Sequence, residues 1–305
     1  MMKISIALAT YNGSQYIRDL LDSLFSQSLL PDEIVVVDDC SSDDTLTILK
    51  EYAVKYEIIR IYSNESNLGV NKNFEKAVSL CSGNFILLCD QDDVWLPNNV
   101  EMKINALKKY PSTSPCFVGS FSIIVNNEKK KILSFERKKD SNNPFEILPI
   151  SYQGTTLAMN RALVEQLNHW PLKFKDYPYD CYIRNVAFLT GNMYSIALPL
   201  MLYRYHEKNV DLKIRKKHFF SPWVIFRSYC FTKSHFCQMI ETLNHLEEEN
   251  VIKERLEVFL YIRNHCFANN QIKFLKMLFL PGFSWLQKVR LFISSLIYFV
   301  RNEKR

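Results

Sequence analysis

The sequence predicts an α/β protein: a mostly parallel sheet flanked by helices, with a helical appendage at the C-terminal end. Two observations predict this. Short apolar runs alternate with amphipathic segments of helical spacing, and the runs are continuously apolar, as strands covered on both faces require. Each run also ends in a polar or acidic loop, which is where open parallel sheets hold ligands. The 305 residues, 48% hydrophobic and 13% aromatic, are enough for one large core.

Ile4-Ser5-Ile6-Ala7-Leu8-Ala9 reads as the first strand. The turn Thr10-Tyr11-Asn12-Gly13 follows it, then a helix that puts Ile17, Leu20, Leu21, Leu24 and Phe25 on one face. The unit repeats. Glu33-Ile34-Val35-Val36-Val37-Asp38 leads through Asp39-Cys40-Ser41-Ser42-Asp43-Asp44 into a helix carrying Leu46, Ile48, Leu49, Tyr52 and Ala53. A third strand, Ile58-Ile59-Arg60-Ile61-Tyr62, precedes Asn67-Leu68-Gly69-Val70-Asn71 and a helix bearing Phe74, Ala77, Val78 and Cys81. The fourth, Phe85-Ile86-Leu87-Leu88-Cys89, ends abruptly in Asp90-Gln91-Asp92-Asp93 ahead of Val94-Trp95-Leu96-Pro97.

An apolar strand delivering carboxylates to its carboxyl end can build a hard-cation site. Asp90 and Asp92, two apart, suit one oxygen-liganded Mg²⁺ or Mn²⁺ that clamps a diphosphate; the alternative is a solvated acidic turn ahead of the next helix. Trp95 fits either a place under that loop or the core. The other strand ends contribute Thr10, Tyr11, Asn12, Asp38, Asp39, Asn67 and Gly69, which offer a ring to stack on and carboxylates and amides for a base edge. No GxGxxG follows the first strand and no GxxxxGK[ST] occurs, so dinucleotide and P-loop readings lose their main support.

Eight cysteines lie scattered without a CxxC pair, and no charged-then-apolar leader precedes Ile4, so a reduced, cytoplasmic setting is expected and a zinc site is not. From residue 213 onward 16 Lys plus Arg face 7 acidic residues; that segment is net +9 within a total of +6, leaving residues 1–212 at net −3. We therefore expect a catalytic domain over 1–212 and a basic helical region over 213–305. Within the latter, apolar positions 289, 292, 293, 296, 297 and 300 recur at helical spacing with basic residues at both ends. Its uncharged core falls short of the ~20 residues a membrane span needs. It suits a helix lying in an anionic headgroup layer, peripheral on the inner face of the cell membrane, or one packed on its own domain. The runs Lys129-Lys130-Lys131 and Arg137-Lys138-Lys139 have only Phe135 between them for base stacking, so nucleic acid is not an expected partner.

Four segments in this order at strand ends carry a family resemblance: Ala9-Thr10-Tyr11-Asn12-Gly13, Val37-Asp38-Asp39-Cys40-Ser41 with Asp44-Thr45, Asn67-Leu68-Gly69-Val70-Asn71-Lys72-Asn73-Phe74, and Asp90-Gln91-Asp92-Asp93-Val94-Trp95. The chain resembles the inverting family 2 glycosyltransferases of GT-A fold, and especially their bacterial rhamnosyltransferase-like branch, over roughly its first two thirds. The resemblance implies that Thr10, Tyr11, Asn12, Asp39, Asn67 and Gly69 hold the nucleotide, with Asp39 on the pyrimidine edge. It implies that Asp90 and Asp92 bind the metal, Mg²⁺ or Mn²⁺, and that Gln153 and Gly154 lie beneath the donor and acceptor sugars.

Tyr179-Asp180-Cys181-Tyr182 falls where the family places its catalytic carboxylate, which makes Asp180 the base that takes the acceptor hydroxyl's proton. Relatives often read His-Asp-Trp there, so the neighbours of the acid differ and acceptor specificity is in question. In Tyr203-Arg204-Tyr205-His206, His206 is placed to reach the metal or a phosphate, and Arg204 to grip a phosphate or the sugar. The implied partners are a dTDP- or UDP-sugar, rhamnose favoured, and a glycan or lipid-linked acceptor. A catalytically inactive nucleotide-sugar-binding subunit is the rival reading. A nucleotidyltransferase is disfavoured, because Thr10-Tyr11-Asn12-Gly13 is not a Gly-rich basic loop.

Overall fold

The computed structural model describes residues 2–134, 139–148, 150, 152–167, 178–206 and 251–261. The expectations for the basic region, including the segment 288–301, fall almost wholly outside the described residues, as do Cys230, Cys237 and Cys266.

The first half follows the predicted repeat. Strand β1 (Ile4–Thr10), helix α1 (Ile17–Phe25), β2 (Glu33–Asp38), α2 (Thr45–Lys55), β3 (Ile59–Ser63), α3 (Val70–Leu80) and β4 (Phe85–Asp90) come in that order. A two-residue strand β5 (Val94–Trp95) and helix α4 (Asn99–Leu107) lead into β6 (Cys116–Val125) and β7 (Lys131–Ser134). Then follow the short helix α5 (Pro144–Ile147), a 3₁₀ turn at Gly154–Thr156, β8 (Leu157–Asn160), α6 (Arg161–Gln166), α7 (Tyr179–Thr190), the long β9 (Asn192–Arg204) and α8 (Lys253–Tyr261).

The sheet runs β3-β2-β1-β4-β8-β6-β9-β5, with β7 paired to β6. Its β3-β2-β1-β4 portion is parallel, as expected from continuous apolar strands. Beyond β4 it becomes mixed: β8 is antiparallel to both β4 and β6, β6 and β9 are parallel, and β5 is antiparallel to β9. No local pattern marks this change, because strand direction depends on how the intervening chain returns rather than on the strand's own composition.

Alternation along each strand divides the core between the two faces. Ile6 and Leu8, Ile34 and Val36, and Leu87 and Cys89 join Leu20, Leu24, Leu49, Val100 and Ile104 from α1, α2 and α4 on one face. Ala7, Val35 and Val37, and Ile86 and Leu88 join Phe74, Ala77, Ile183 and Val186 from α3 and α7 on the other. Each fully buried Leu, Ile or Val contributes about 1.5–3 kcal/mol, so the two layers fix the strand register. That register places the carboxyl ends of β1, β2 and β4 side by side. The small helix α8 is attached through Ile252 N–H to the Leu189 carbonyl, and the Arg255 guanidinium donates to the Phe188 and Gly191 carbonyls at the end of α7.

A candidate active site at the carboxyl edge of the sheet

Thr10 stands opposite Asp38 across β1 and β2, and Ala9 stands opposite Asp90 across β1 and β4. The acidic tips of neighbouring strands therefore meet along one edge, within a residue of register of each other. Asp38 is structural: its carboxylate accepts from Thr10 Oγ1 at 2.8 Å, from Ser41 N at 2.8 Å and from Ser41 Oγ at 2.6 Å. Thr10 itself is 2% exposed. Its side chain thus supports the strand end, whereas the ring of Tyr11 is open, at 46% exposed. Asn12, with φ 49°, accepts from Ser42 N at 2.8 Å and ties the first loop to the second.

Asp39 organises the third loop. Its carboxylate accepts from Asn64 Nδ2, Leu68 N and Gly69 N, each at 2.8 Å, while Asn67 Nδ2 donates to its backbone carbonyl at 3.4 Å. Gly69 has φ +85°, where a side chain would be strained, and this conformation lets two consecutive amides face one carboxylate. Buried Asn73 on α3 supports the group from behind, donating to the Val37 carbonyl at 2.9 Å and accepting from Asn64 Nδ2 at 3.0 Å.

The acidic loop after β4 is held from several sides. Gln91 bridges to the first loop, with Nε2 donating to the Tyr11 carbonyl and Oε1 accepting from Tyr11 N, both at 2.8 Å. Burial and the neighbouring Asp92 carboxylate push Asp90 up to about 8. Asp93, fully buried, is pushed well above the usual carboxylate range by burial and by Asp92 and Asp90, and it accepts from Thr155 Oγ1 at 2.8 Å. Acid groups this close resist ionising together, and a divalent cation relieves that resistance.

His206 Nε2 lies 2.8 Å from Asp92 Oδ2, bringing the end of β9 back to the loop. Among the described residues no three His, Cys, Asp or Glu side chains form a ready-made metal cage. The donor set nonetheless fits Mg²⁺ or Mn²⁺, which is commonly held by one or two carboxylates with substrate phosphates and water completing the shell.

Arg204 is 3% exposed, and its donors go to the protein: Nε to the Asp92 carbonyl at 3.0 Å, one terminal nitrogen to the Asn127 carbonyl at 2.9 Å, the other to Asp19 at 2.8 Å. The expected grip on a phosphate or sugar is therefore replaced here by a brace on the acidic loop after β4. Tyr16 completes that brace, stacking on His206 at 4.8 Å with the Arg204 guanidinium 5.2 Å from its ring. Asp19 also pairs with Lys129 at 2.9 Å.

The second half of the chain reaches the same place through Gly154. A Cβ there would overlap the Tyr179 phenol, so glycine is what lets α7 begin against the 3₁₀ turn. Tyr179 stacks on Phe74 at 4.2 Å, and its N–H donates to Asn71 Oδ1 at 3.2 Å, which ties the start of α7 to the start of α3. Asp180 lies in the first turn of α7, where its carboxylate accepts from Cys181 N at 2.7 Å. Gln153 Oε1 accepts from Ser122 Oγ at 2.6 Å. Sequence reasoning missed Tyr16, Asp19, Asn64, Asn73, Gln91 and Thr155. Of these Asn73 and Gln91 lay inside quoted motifs; the rest are joined to the site by packing between distant segments.

Sheet order, acid-tipped parallel strands and a mixed second half define the fold class of the GT-A glycosyltransferases. The model of the glycosyl transferase family 2 matches residues 5–167, more than half of the chain, and the chain belongs to that family. It is similar to a dTDP-rhamnosyl transferase of Shigella flexneri, RfbG, at 27% identity over 214 residues, covering 66% of this chain and 72% of that protein. An uncharacterized protein of Mycobacterium bovis is 35% identical over 117 residues, 37% of this chain, and the chain spans only 34% of that relative's length. Among solved structures, S. aureus TarS in complex with UDP superposes with a TM-score of 0.58 at 20% identity, covering 92% of this chain and 79% of that one. Its complex with UDP-GlcNAc gives 0.57 at 19%, covering 92% and 82%. At these identities the structures establish the fold alone. Among the described residues no helix is long and apolar enough to cross a membrane.

Proposed function

We propose that this chain is an inverting, metal-dependent glycosyltransferase. In this reading it moves a sugar from a dTDP- or UDP-sugar, rhamnose favoured, to a hydroxyl of a glycan or lipid-linked acceptor during cell-surface polysaccharide synthesis. The observation that carries it is the register that sets Thr10 against Asp38 and Ala9 against Asp90, drawing the Asp39 loop and the Asp90–Asp92 pair to one edge. The rhamnosyl donor is supported by what the Shigella relative is named for, and a uridine donor by the ligands of the S. aureus structures.

In this reading Tyr11 stacks on the base and Asp39 meets the pyrimidine edge while Asn67 and Gly69 close over it. Asp90, Asp92 and His206 hold Mg²⁺ or Mn²⁺, which when bound offsets the charge that builds on the departing diphosphate. Asp180 takes the proton of the acceptor hydroxyl as that oxygen attacks the anomeric carbon from the face opposite the leaving group, and a single displacement of this kind inverts the configuration. Gln153 and Gly154 line the sugar side. Arg204 serves donor binding through its brace on the Asp92 backbone. The enzyme works on the cytoplasmic side of the cell membrane, with residues 288–301 as its contact with an anionic surface.

The deciding experiment is a donor screen on purified protein, reading release of nucleoside diphosphate with and without EDTA in the presence of Mn²⁺. Release from dTDP- or UDP-sugars that stops on chelation is the expected result. Release that EDTA leaves unchanged refutes the metal mechanism. Silence with every donor, although UDP binds, favours the inactive-subunit reading.

A further inference from the structure

Among the described residues, six buried side-chain nitrogen and oxygen atoms lack a hydrogen-bond partner, and five of them belong to the short segment 93–103: Asp93 Oδ1, Trp95 Nε1, both polar atoms of the Asn99 amide, and Lys103 Nζ. Asp93, Asn99 and Lys103 are 0% exposed and Trp95 is 2% exposed. Asn99 and Lys103 are one turn apart on the same face of α4, with Val100, Ile104 and Leu107 buried around them. The Lys103 ammonium lies 5.3 Å from the centre of the Trp95 ring.

A fully buried lysine without a partner is rare, because removing an ammonium from water costs several kcal/mol. The backbone around it, by contrast, is satisfied. Ser23 Oγ accepts from Trp95 N at 3.0 Å, Gln27 Oε1 from Val100 N at 3.1 Å, and Gln27 Nε2 donates to the Leu96 carbonyl at 2.9 Å. The bend after β5 is thus well made, and the unmet polarity of this segment lies in its buried side chains. Burial pushes the Lys103 amine down to about 7, against the opposing fields of Cys89 and Asp93. Buried polar atoms without a hydrogen-bond partner are the groups that internal water satisfies, each such water needing two to four polar partners.

We propose that Lys103 is a positioning residue for the metal loop: together with Asp93, Asn99 and Trp95 it forms a sealed, water-bridged polar cluster that fixes the conformation of Asp90–Asp93 from below. It touches neither donor nor metal. Asp93 is divided between two supports, one oxygen held by Thr155 and the other facing the cluster, so the loop is clamped between the 3₁₀ turn and α4. This role rests on the proposed function only in naming the loop's purpose; the clamp itself is a property of the fold.

The test is hydrogen exchange on the full chain, followed by mass spectrometry for peptides covering residues 88–96, in the wild type, Lys103→Met, Asp93→Asn and the double variant. Each single change leaves its partner buried without its counterpart and should raise exchange of this segment about tenfold, whereas the double variant should return to within about threefold of wild type. The Mn²⁺ dissociation constant should follow the same order. A mere packing role predicts the opposite, because methionine replacing a buried amine is neutral or stabilising.

Wild-type exchange in Lys103→Met overturns the proposal, as does a double variant no closer to wild type than the singles. If Lys103→Met does not fold, Asp93→Asn carries the comparison, and adding Lys103→Met to it must lower exchange again. Should the wild type release nucleoside diphosphate from no donor, the functional reading fails while the exchange result still decides the role of Lys103.

Discussion

Replacing Asp39 by alanine removes the acceptor for three donors at once. The Leu68 and Gly69 amides and the Asn64 side-chain amide all reach its carboxylate at 2.8 Å. Hydrogen bonds to an ionised acceptor contribute about 1.5–3 kcal/mol each. The two backbone amides stand on a partly exposed loop, which places them at the low end. Asn64 keeps partners in Asn73 at 3.0 Å and Lys76 at 2.7 Å, so its loss is smaller. Removal of the buried carboxylate also relieves its own desolvation. The net expectation is a loss of about 3 kcal/mol, or roughly 6–12 °C in Tm for a domain of this size. Differential scanning calorimetry with and without UDP reads both consequences, because the wild type should melt higher when nucleotide binds and the variant should not. An Asp39→Ala protein that melts within about 2 °C of wild type and gains the same increment from UDP would refute both the loop-organising role and the base contact.

Three further outcomes follow from the geometry. Gly154→Ala forces the Tyr179 phenol off its stack on Phe74 and displaces the first turn of α7; overpacking of about 1–3 kcal/mol and a fall of about 10²-fold in kcat are expected, with little change in UDP affinity by calorimetry. Asp180→Asn should lower kcat by about 10²- to 10⁴-fold at unchanged nucleotide affinity, and near wild-type turnover would remove it as the base. Burial acts to raise Glu33, but hydrogen bonds from Ser5, Lys3 and Ser82 outweigh it and hold the carboxyl down at about 2. Because the folded value is depressed, its stabilisation is present above the ordinary value of 4.5 and is lost as pH falls toward 2. A contribution of about 3 kcal/mol follows, so the Tm gap between wild type and Glu33→Gln should be wide at pH 6 and close between 4.5 and 2.

The N-terminal elements were legible because each carries its own signal. Continuous apolar runs at 4–9, 33–38 and 85–89 have no stable place except between two helical layers, and all became strands of one sheet. The acidic tips were legible for a related reason: a carboxylate at the end of a buried strand reaches the sheet's open edge wherever neighbours share its register. Motif reading therefore singled out Asp39, Asp90 and Asp92 as candidates, and the resemblance added Asp180 and His206. It assigned Thr10 and Arg204 to ligands, whereas their polar atoms are engaged by Asp38 in the one case and by Asp92, Asn127 and Asp19 in the other. Nothing local distinguishes a guanidinium free for phosphate from one already bonded within the protein.

The sequence by itself determined the parallel half of the sheet, the family and the acids at the strand ends, since periodicity and short motifs are written within a few consecutive residues. Tertiary structure alone decided the antiparallel return of β8, the brace of Tyr16 and Asp19 on Arg204, the fit of Gly154 under Tyr179, and the burial of Lys103. Each of these depends on which distant segment packs against a residue, and a side chain's donors and charge acquire their role only once that neighbour is in place.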